Sequence, residues 1–229
     1  MKLINGAIAI FSAIAILSGL LMLPAVFASP ENAEDLYQQG INEAWDQNYQ
    51  GAIEQYNKAL QIAPDFAAAY NDRGKAYFDL GQPQVAIWDY NQALQFNPNL
   101  AEAHYRRGLA RYHLGDQKGA IVDYNQALQL NPEYLLAYGN RAVARADLGD
   151  RHGAIEDLNQ ALQIQPNSPE VYYNRGFMRF QIGDRKGALQ DLQQADRFFF
   201  EQGDMTGLQQ VEELLQQLKS ESSGHNQSE

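Results

Sequence analysis

Residues 101–134 read AEAHYRRGLARYHLGDQKGAIVDYNQALQLNPEY, and residues 67–100 read AAAYNDRGKAYFDLGQPQVAIWDYNQALQFNPNL. The two stretches align without a gap, and the same register continues from residue 33 to residue 202. It divides this part of the chain into the blocks 33–66, 67–100, 101–134, 135–168 and 169–202. A fixed period of roughly 20 to 50 residues is typical of stacked repeats. The sequence therefore predicts an array of five units.

Small and turn-forming residues occupy fixed columns of this repeat. The first small-residue column holds Gly40, Gly74, Gly108, Ala142 and Gly176. Two alanine columns hold Ala52, Ala86, Ala120, Ala154 and Ala188, and Ala59, Ala93, Ala127, Ala161 and Ala195. Glycine recurs in mid-block and proline near the block end, at Gly81, Gly115, Gly149 and Gly183, and at Pro64, Pro98, Pro132 and Pro166. Because glycine and proline end helices and small side chains let helices approach, each block is predicted to be a tight helical hairpin.

The apolar spacing within a block supports two helices. In the second half of block 101–134, one helical face carries Ala120, Ile121, Tyr124, Ala127 and Leu128. The polar residues Asp65, Asn99 and Ser168 precede later first helices, where we expect helix N-caps. A single hairpin cannot bury its apolar face, so the hairpins must stack into an all-α solenoid.

The segment after the last block is predicted to close the array. Residues 203–219 carry Leu208, Val211, Leu215 and Leu218 on one stripe with Leu214 beside it, which indicates a capping helix. Residues 220–229 are polar and without an apolar pattern, and we expect a disordered tail there.

On these columns the chain resembles the tetratricopeptide repeat family, whose 34-residue pattern has a small residue in the eighth place and proline near the end. The resemblance covers 170 of the 229 residues and implies a right-handed α-solenoid. Two departures occur: the early tryptophan of the family is replaced by Leu36, Tyr70, His104, Tyr138 and Tyr172, and the terminal proline of the fifth block by Phe200. The second departure indicates the end of the array.

The resemblance also implies a function, since first helices in this family line a concave groove that binds a protein or peptide segment. The predicted partner-binding residues are Tyr37, Trp45, Asn71, Lys75, Tyr105, Arg106, Leu109, His113, Asn140, Tyr173, Asn174 and Phe177. Acids outnumber cations among the groove positions, namely Glu34, Asp72, Asp79, Glu102, Asp147 and Glu170. A basic or aromatic-aliphatic segment is the expected ligand.

Charge and motif content exclude other functions. Seventeen Lys and Arg against 28 Asp and Glu give a net charge of −11, which disfavours nucleic acid. The chain has no cysteine, and its four histidines show no metal-site spacing. Since no phosphate-binding or catalytic motif occurs, we predict no catalytic, cofactor or metal site. The expected function is a non-catalytic adaptor or scaffold in complex assembly, and the alternative is an accessory or sensor subunit of a membrane-associated enzyme.

Residues 1–28 have a separate role. Lys2 precedes a 21-residue apolar run from Leu3 to Leu23, and Val26 and Ala28 suit a cleavage site. The run is also close to the length that spans a bilayer. We therefore expect either export to a periplasm, a lumen or the exterior after cleavage before Ser29, or an uncleaved N-terminal anchor as the sole membrane contact.

Two charged columns predict structural ion pairs. Arginine recurs at Arg73, Arg107, Arg141 and Arg175, and aspartate at Asp89, Asp123, Asp157 and Asp191. The first block replaces both columns together, with Gln39 and Gln55. This joint loss favours a pair between the two helices of each hairpin.

Overall fold

The computed structural model describes residues 32–225, and side chains as far as Ser220. This part of the chain forms five hairpins and a final helix. The hairpins are α1 (Ala33–Trp45) with α2 (Tyr49–Ile62), α3 (Ala67–Asp79) with α4 (Pro83–Phe96), α5 (Ala101–His113) with α6 (Gln117–Leu130), α7 (Leu135–Asp147) with α8 (Arg151–Ile164), and α9 (Pro169–Gln181) with α10 (Arg185–Gln202). The last helix is α11 (Met205–His225). Each helix contacts the next in chain order, which confirms the predicted all-α solenoid of five repeats with a capping helix.

The small-residue column lies where the two helices of a hairpin cross. A Cβ atom at Gly74 would lie 2.7 Å from the Tyr90 ring and 3.2 Å from the Ala86 carbonyl oxygen. The first distance is too short for a methyl group unless the ring moves, and the second is tighter than an ordinary van der Waals contact. The fourth hairpin has Ala142 in this column, and the opposite residue is the smaller Leu158. The predicted close crossing is confirmed, and in the fifth hairpin Gly176 also lies opposite a leucine, Leu192.

Glycine conformation shapes the turns within hairpins, whereas apolar residues mark the starts of the first helices. Gly81 and Gly115, in the turns, have φ of 74° and 81°, a left-handed conformation that glycine adopts at low cost. The predicted N-caps Asp65 and Asn99 are wrong, because α3 and α5 begin after Phe66 and Leu100, without a capping side chain. The side chains of Phe66 and Leu100 pack against neighbouring residues of the array, so apolar contact fixes where each helix begins.

Alanines pack neighbouring hairpins against each other. They belong to two first-helix columns and are almost fully buried: Ala69, Ala103 and Ala137, and Ala76, Ala110 and Ala144. In the first hairpin the same columns hold Asp35 and Asn42, which are exposed. The outer face of the first hairpin is therefore polar.

The repeat pattern ends at the C-terminal end of the array, where the last second helix is longer than the others. Helix α10 has 18 residues, whereas the other second helices have 14, and it ends at Gly203 with φ of 72°. A Cβ atom at Gly207 of α11 would lie 2.4 Å from the Phe199 ring, so these helices also cross closely.

The buried stripe of α11 differs from the predicted one. Its buried members are Val211, Leu214 and Leu218, whereas Leu208 and Leu215 are only half-buried. The helix also continues to His225, past the predicted boundary at Lys219, because the polar residues there include no helix breaker before Gly224. Residues 1–28 and the last four residues lie outside the described residues. Among those described, no helix is long and apolar enough to cross a membrane.

Candidate functional site

The first helices form one continuous surface of the array. Neighbouring first helices α1, α3, α5 and α7 contact one another in sequence, whereas no two neighbouring second helices of the described chain approach as extensively. The array therefore curves toward the first helices. We call the side chains on this inner side the first-helix surface.

A chain of polar contacts crosses the first three hairpins on this surface. The Tyr37 hydroxyl donates to Asp72 Oδ2 at 2.6 Å, and Arg106 Nη1 donates to Asp72 Oδ1 at 2.7 Å. Arg106 Nη2 in turn donates to Glu102 Oε1 at 2.5 Å. Burial and the hydrogen bond to Asp72 raise the pKa of the Tyr37 phenol, so it stays neutral and donating. These contacts fix the relative position of α1, α3 and α5.

Two further contacts continue this pattern toward the C-terminus. Asn140 Nδ2 donates to the Tyr105 hydroxyl at 2.9 Å, and the Tyr112 hydroxyl donates to Asp147 Oδ2 at 2.6 Å. Each joins residues 35 positions apart, one repeat plus one residue. Much of the first-helix surface is therefore occupied by bonds between repeats.

An open cleft remains between α1, α3 and α5. It has a volume of about 350 Å³ and is lined by Ile41, Ala44, Trp45, Tyr49, Tyr56, Asp72, Lys75, Ala76, Asp79 and Arg106. Its rim carries Trp45, which is 81% exposed. Lys75 pairs with Asp79 at 2.5 Å and lies 5.9 Å from the Tyr49 ring centre. We call this the Trp45 cleft: apolar walls, with charges of both signs at its edge.

A smaller cleft lies between α7 and α9. It measures about 120 Å³ and is lined by Gly139, Ala142, Val143, Ala146, Asp147, Leu158, Asn174 and Met178. Among the predicted partner-binding residues, it contains Asn174, which is exposed. Val143 is 43% exposed at its edge, so this cleft also offers an apolar contact.

The predicted partner-binding residues fall into three groups. Trp45, Lys75 and Arg106 line the Trp45 cleft, Asn174 lines the smaller cleft, and His113 is exposed with its ring 5.0 Å from Phe78. A second group is buried or half-buried in the array: Tyr37, Asn71, Tyr105, Leu109 and Asn140. The third, Tyr173 and Phe177, packs against the α10 and α11 cluster. A role in partner binding stays a prediction for all of them.

Aromatic and amide side chains of the second group are engaged in contacts within the array. Tyr105 packs between Tyr124 and Tyr134, with ring centres 6.0 and 4.8 Å away, and its hydroxyl is bonded to Asn140. Asn71 is only 3% exposed. The position of a residue on a first helix does not reveal such contacts, because they depend on how closely neighbouring hairpins pack.

The acids of the groove positions are also largely engaged. Asp72 accepts from Tyr37 and Arg106, Asp79 from Lys75, and Asp147 from Tyr112. Since their charge or hydrogen-bonding capacity is already partly satisfied, the acid excess is a weaker guide to the ligand than the count alone implied.

The predicted ion pairs within hairpins are confirmed. Arg73 donates to both Asp89 oxygens, at 2.6 and 2.9 Å, and the same pairing recurs in each of the next three hairpins. Arg141 and Asp157 provide one of these pairs. These arginines therefore have a structural role.

Sequence reasoning missed two extensions of this network. Each arginine also donates to an asparagine on the second helix of the preceding hairpin: Asn57, Asn91, Asn125 and Asn159. A second arginine column, Arg111, Arg145 and Arg179, reaches the same aspartates of the last three hairpins. The signal was present as two more repeating polar columns in the sequence.

Comparison with known proteins identifies the family. The sequence model of the TPR repeat matches residues 46–81, 77–115 and 144–183, and that of the tetratricopeptide repeat matches residues 101–134. Together the matches span more than half of the chain. The chain belongs to the tetratricopeptide repeat family. As a TPR protein it is a protein-interaction adaptor with protein or peptide partners.

Several solved TPR arrays are similar to this one. The crystal structure of MamA is 26% identical, with a TM-score of 0.68, over 72% of this chain and 96% of that one. YrrB, a TPR protein with an unusual peptide-binding site, is 20% identical with a TM-score of 0.67, over 80% and 92%. PilF from Pseudomonas aeruginosa is 19% identical with a TM-score of 0.67, over 81% and 91%. No curated protein sequence matches the chain significantly.

Proposed function

We propose that this TPR array binds a partner segment along the first-helix surface, anchored by an apolar side chain in the Trp45 cleft. The observation that carries this proposal is the 81% exposure of Trp45 at the rim of a cleft with apolar walls. Tryptophan is enriched among the residues that dominate binding energy, and such residues cluster at pockets. The peptide-binding site of the similar array YrrB supports a peptide ligand.

The chemistry of the cleft favours an aromatic or aliphatic anchor. Ile41, Ala44 and Ala76 supply its apolar wall, and Trp45 supplies a ring face. Lys75 and Arg106 offset Asp72 and Asp79 at the edge, so the lining has no strong preference for a charged anchor. Polar groups of the ligand backbone are expected to contact these edge charges.

Intrinsic fluorescence provides the test. The chain has two tryptophans, Trp45 and Trp88, and Trp88 lies on α4, away from the cleft. In a Trp88→Phe background, binding of peptides selected from a randomised library is expected to shift the Trp45 emission. Trp45→Ala is expected to weaken their affinity about 30-fold, as for a central anchor. Trp88→Ala, at a 54% exposed position, is the matched control and should leave affinity unchanged. Equal affinity for the Trp45→Ala variant would contradict the proposal.

We further propose that the array functions outside the cytoplasm in the assembly of a protein complex. The basis is the sequence of residues 1–28 with its basic start, long apolar run and small residues near Ala28. N-terminal sequencing of the protein from its native cells is expected to begin at Ser29. An intact Met1 in a soluble cytoplasmic fraction would contradict export, whereas an intact Met1 in the membrane fraction would indicate the anchor.

A further inference from the structure

The C-terminal end of the array leaves part of a stacking face open. In the first four hairpins, a second-helix leucine packs against the following hairpin and is only 7–9% exposed: Leu60, Leu94, Leu128 and Leu162. The fifth hairpin has Asp196 in this column, and it is exposed. A neighbouring second-helix column shows a similar change: Ile53 is buried and Ile87, Ile121 and Ile155 are half-buried, whereas Leu189 of the fifth hairpin is 43% exposed.

Helix α11 covers this face only in part. It buries Val211, Leu214 and Leu218, but Phe200 and Met205 remain 74% exposed. A groove of about 670 Å³ lies between α10 and α11. We call it the C-terminal groove, and it is lined by Gln193, Asp196, Phe200, Met205, Leu208, Gln209, Glu212 and Leu215.

The lining residues of the C-terminal groove have a spacing that suits the binding of a helix. Gln193, Asp196 and Phe200 follow one another at three- and four-residue intervals along one stripe of α10. The residues of α11 have the same spacing, from Met205 through Leu208 and Glu212 to Leu215. Two helical stripes that border one groove form the kind of surface that receives the apolar face of a third helix. Within the array, the following hairpin supplies such a helix.

The charges of the groove indicate which helix it receives. The charged residues that line it, Asp196 and Glu212, are both acidic. The nearby cation Arg197 is bonded to Glu201 at 2.8 Å and lies over the Phe198 ring, so it does not neutralise them. A second copy of this groove would bring like charges together, whereas lysine or arginine beside an apolar stripe would pair with both acids.

We propose that the C-terminal groove binds a cationic amphipathic helix of a partner protein, which stacks on the fifth hairpin beside α11. Leu208, Leu215, Phe200 and Met205 contact the apolar stripe of that helix, and Asp196 and Glu212 pair with its cations. The proposal is independent of the Trp45 cleft, which lies in the first three hairpins. The array thus has two docking surfaces, one at each end.

A pair of synthetic helices tests the proposal on the full-length chain. One labelled peptide carries a leucine stripe flanked by lysines, and its match carries glutamates instead of the lysines. Fluorescence anisotropy should show binding of the lysine peptide and none of the glutamate peptide. The combined change Phe200→Ser and Met205→Ser is expected to raise the dissociation constant at least about tenfold. Both side chains are exposed, so the helical melting curve should be unchanged. Trp45→Ala is the control at the other surface and should have no effect.

Charge reversal distinguishes the groove from general attraction to an acidic protein. The combined change Asp196→Lys and Glu212→Lys should abolish binding of the lysine peptide and create binding of the glutamate peptide. Binding of the lysine peptide that neither double variant alters would overturn the proposal. Self-association of the unmodified chain in sedimentation, removed by the Phe200→Ser and Met205→Ser change, would assign the groove to a second copy and also overturn it.

Discussion

The side-chain amide of Asn140 donates a hydrogen bond to the hydroxyl of Tyr105, 2.9 Å away, and so joins α7 to α5. The same ring packs against Tyr124 of its own hairpin and Tyr134 at the start of the next. Burial raises the pKa of the Tyr105 phenol, which keeps it protonated across the physiological range. One side chain therefore connects two repeats by both packing and a polar bond.

We predict that substitutions of Tyr105 alter stability in two steps. Tyr105→Phe removes only the bond to Asn140 and should lower the free energy of unfolding by about 1 kcal/mol. Tyr105→Ala also removes a half-buried ring and should cost about 2–4 kcal/mol. Urea unfolding followed by circular dichroism measures both. An unchanged urea midpoint for Tyr105→Ala would mean that the ring does not stabilise the packing of the repeats, and its remaining role would be in ligand binding.

Substitutions of Arg141 and of Asp157 should lower the free energy of unfolding by unequal amounts in a double-mutant cycle. Asp157 accepts from Arg141 and also forms an ion pair with Arg145, with 3.1 Å between Arg145 Nη1 and Asp157 Oδ2. Asp157→Asn leaves Arg141 without its carboxylate and Arg145 with only Asp150, 4.0 Å away, and is expected to cost about 3–5 kcal/mol. Arg141→Gln leaves Arg145 in place and should cost less. In urea unfolding the double variant should lose less than the sum of the singles. Strict additivity would show that the two residues do not interact.

Two aspartates of the same column should respond to pH in opposite directions. Burial would raise the pKa of Asp123, but His104, Arg107 and Arg111 outweigh it and lower that pKa. Asp123 therefore contributes stability above the unfolded-state pKa of about 3.9, and this contribution is lost as the pH falls through the lower folded pKa. Burial raises the pKa of Asp89, which has Arg73 as its arginine partner, so the stability linked to Asp89 increases as the pH falls toward about 4.

Stability curves from pH 3 to 7 should separate the two, measured on Asp123→Asn and Asp89→Asn. The destabilisation by Asp123→Asn is expected to be largest near neutrality and to shrink in acid. The destabilisation by Asp89→Asn should be smaller at neutral pH and should increase as the pH falls toward about 4. Parallel curves for the two variants would show that the second arginine, Arg111, does not set the difference.

Enlarging the helix crossing should also destabilise the array. Ala120 is fully buried where α6 meets its neighbours, and Ala120→Leu adds three carbons to a filled space. We expect a loss of about 1–3 kcal/mol. Val122, two residues further along the same helix, is 62% exposed, and Val122→Leu is the control. Equal melting temperatures for the two variants would show that the crossing can expand.

The sequence was sufficient for the hairpins but not for the surface that they present. A repeat fixes which residues share a column, so Gly74 and its equivalents revealed the crossing and Arg73 with Asp89 revealed the ion pair. The column does not specify which rotamer a side chain adopts across a repeat interface. Tyr105 and Asn140 both lie on first helices, yet their mutual bond removes them from the open surface. Trp45 is instead 81% exposed, and this exposure is visible only in the folded array.

The arginine bonds to the preceding hairpin have a consequence for how the array opens. When two neighbouring hairpins separate, a guanidinium group must release its asparagine at every interface from Arg73 to Arg175. The arginine column continues in α11 as Gln209 and the asparagine column in α10 as Gln193, so this repeated bond does not recur between the last two helices. Local opening therefore begins most easily at this end. Amide protons of α11 should exchange with solvent before those of the hairpins, and a helix docked beside α11 would slow that exchange.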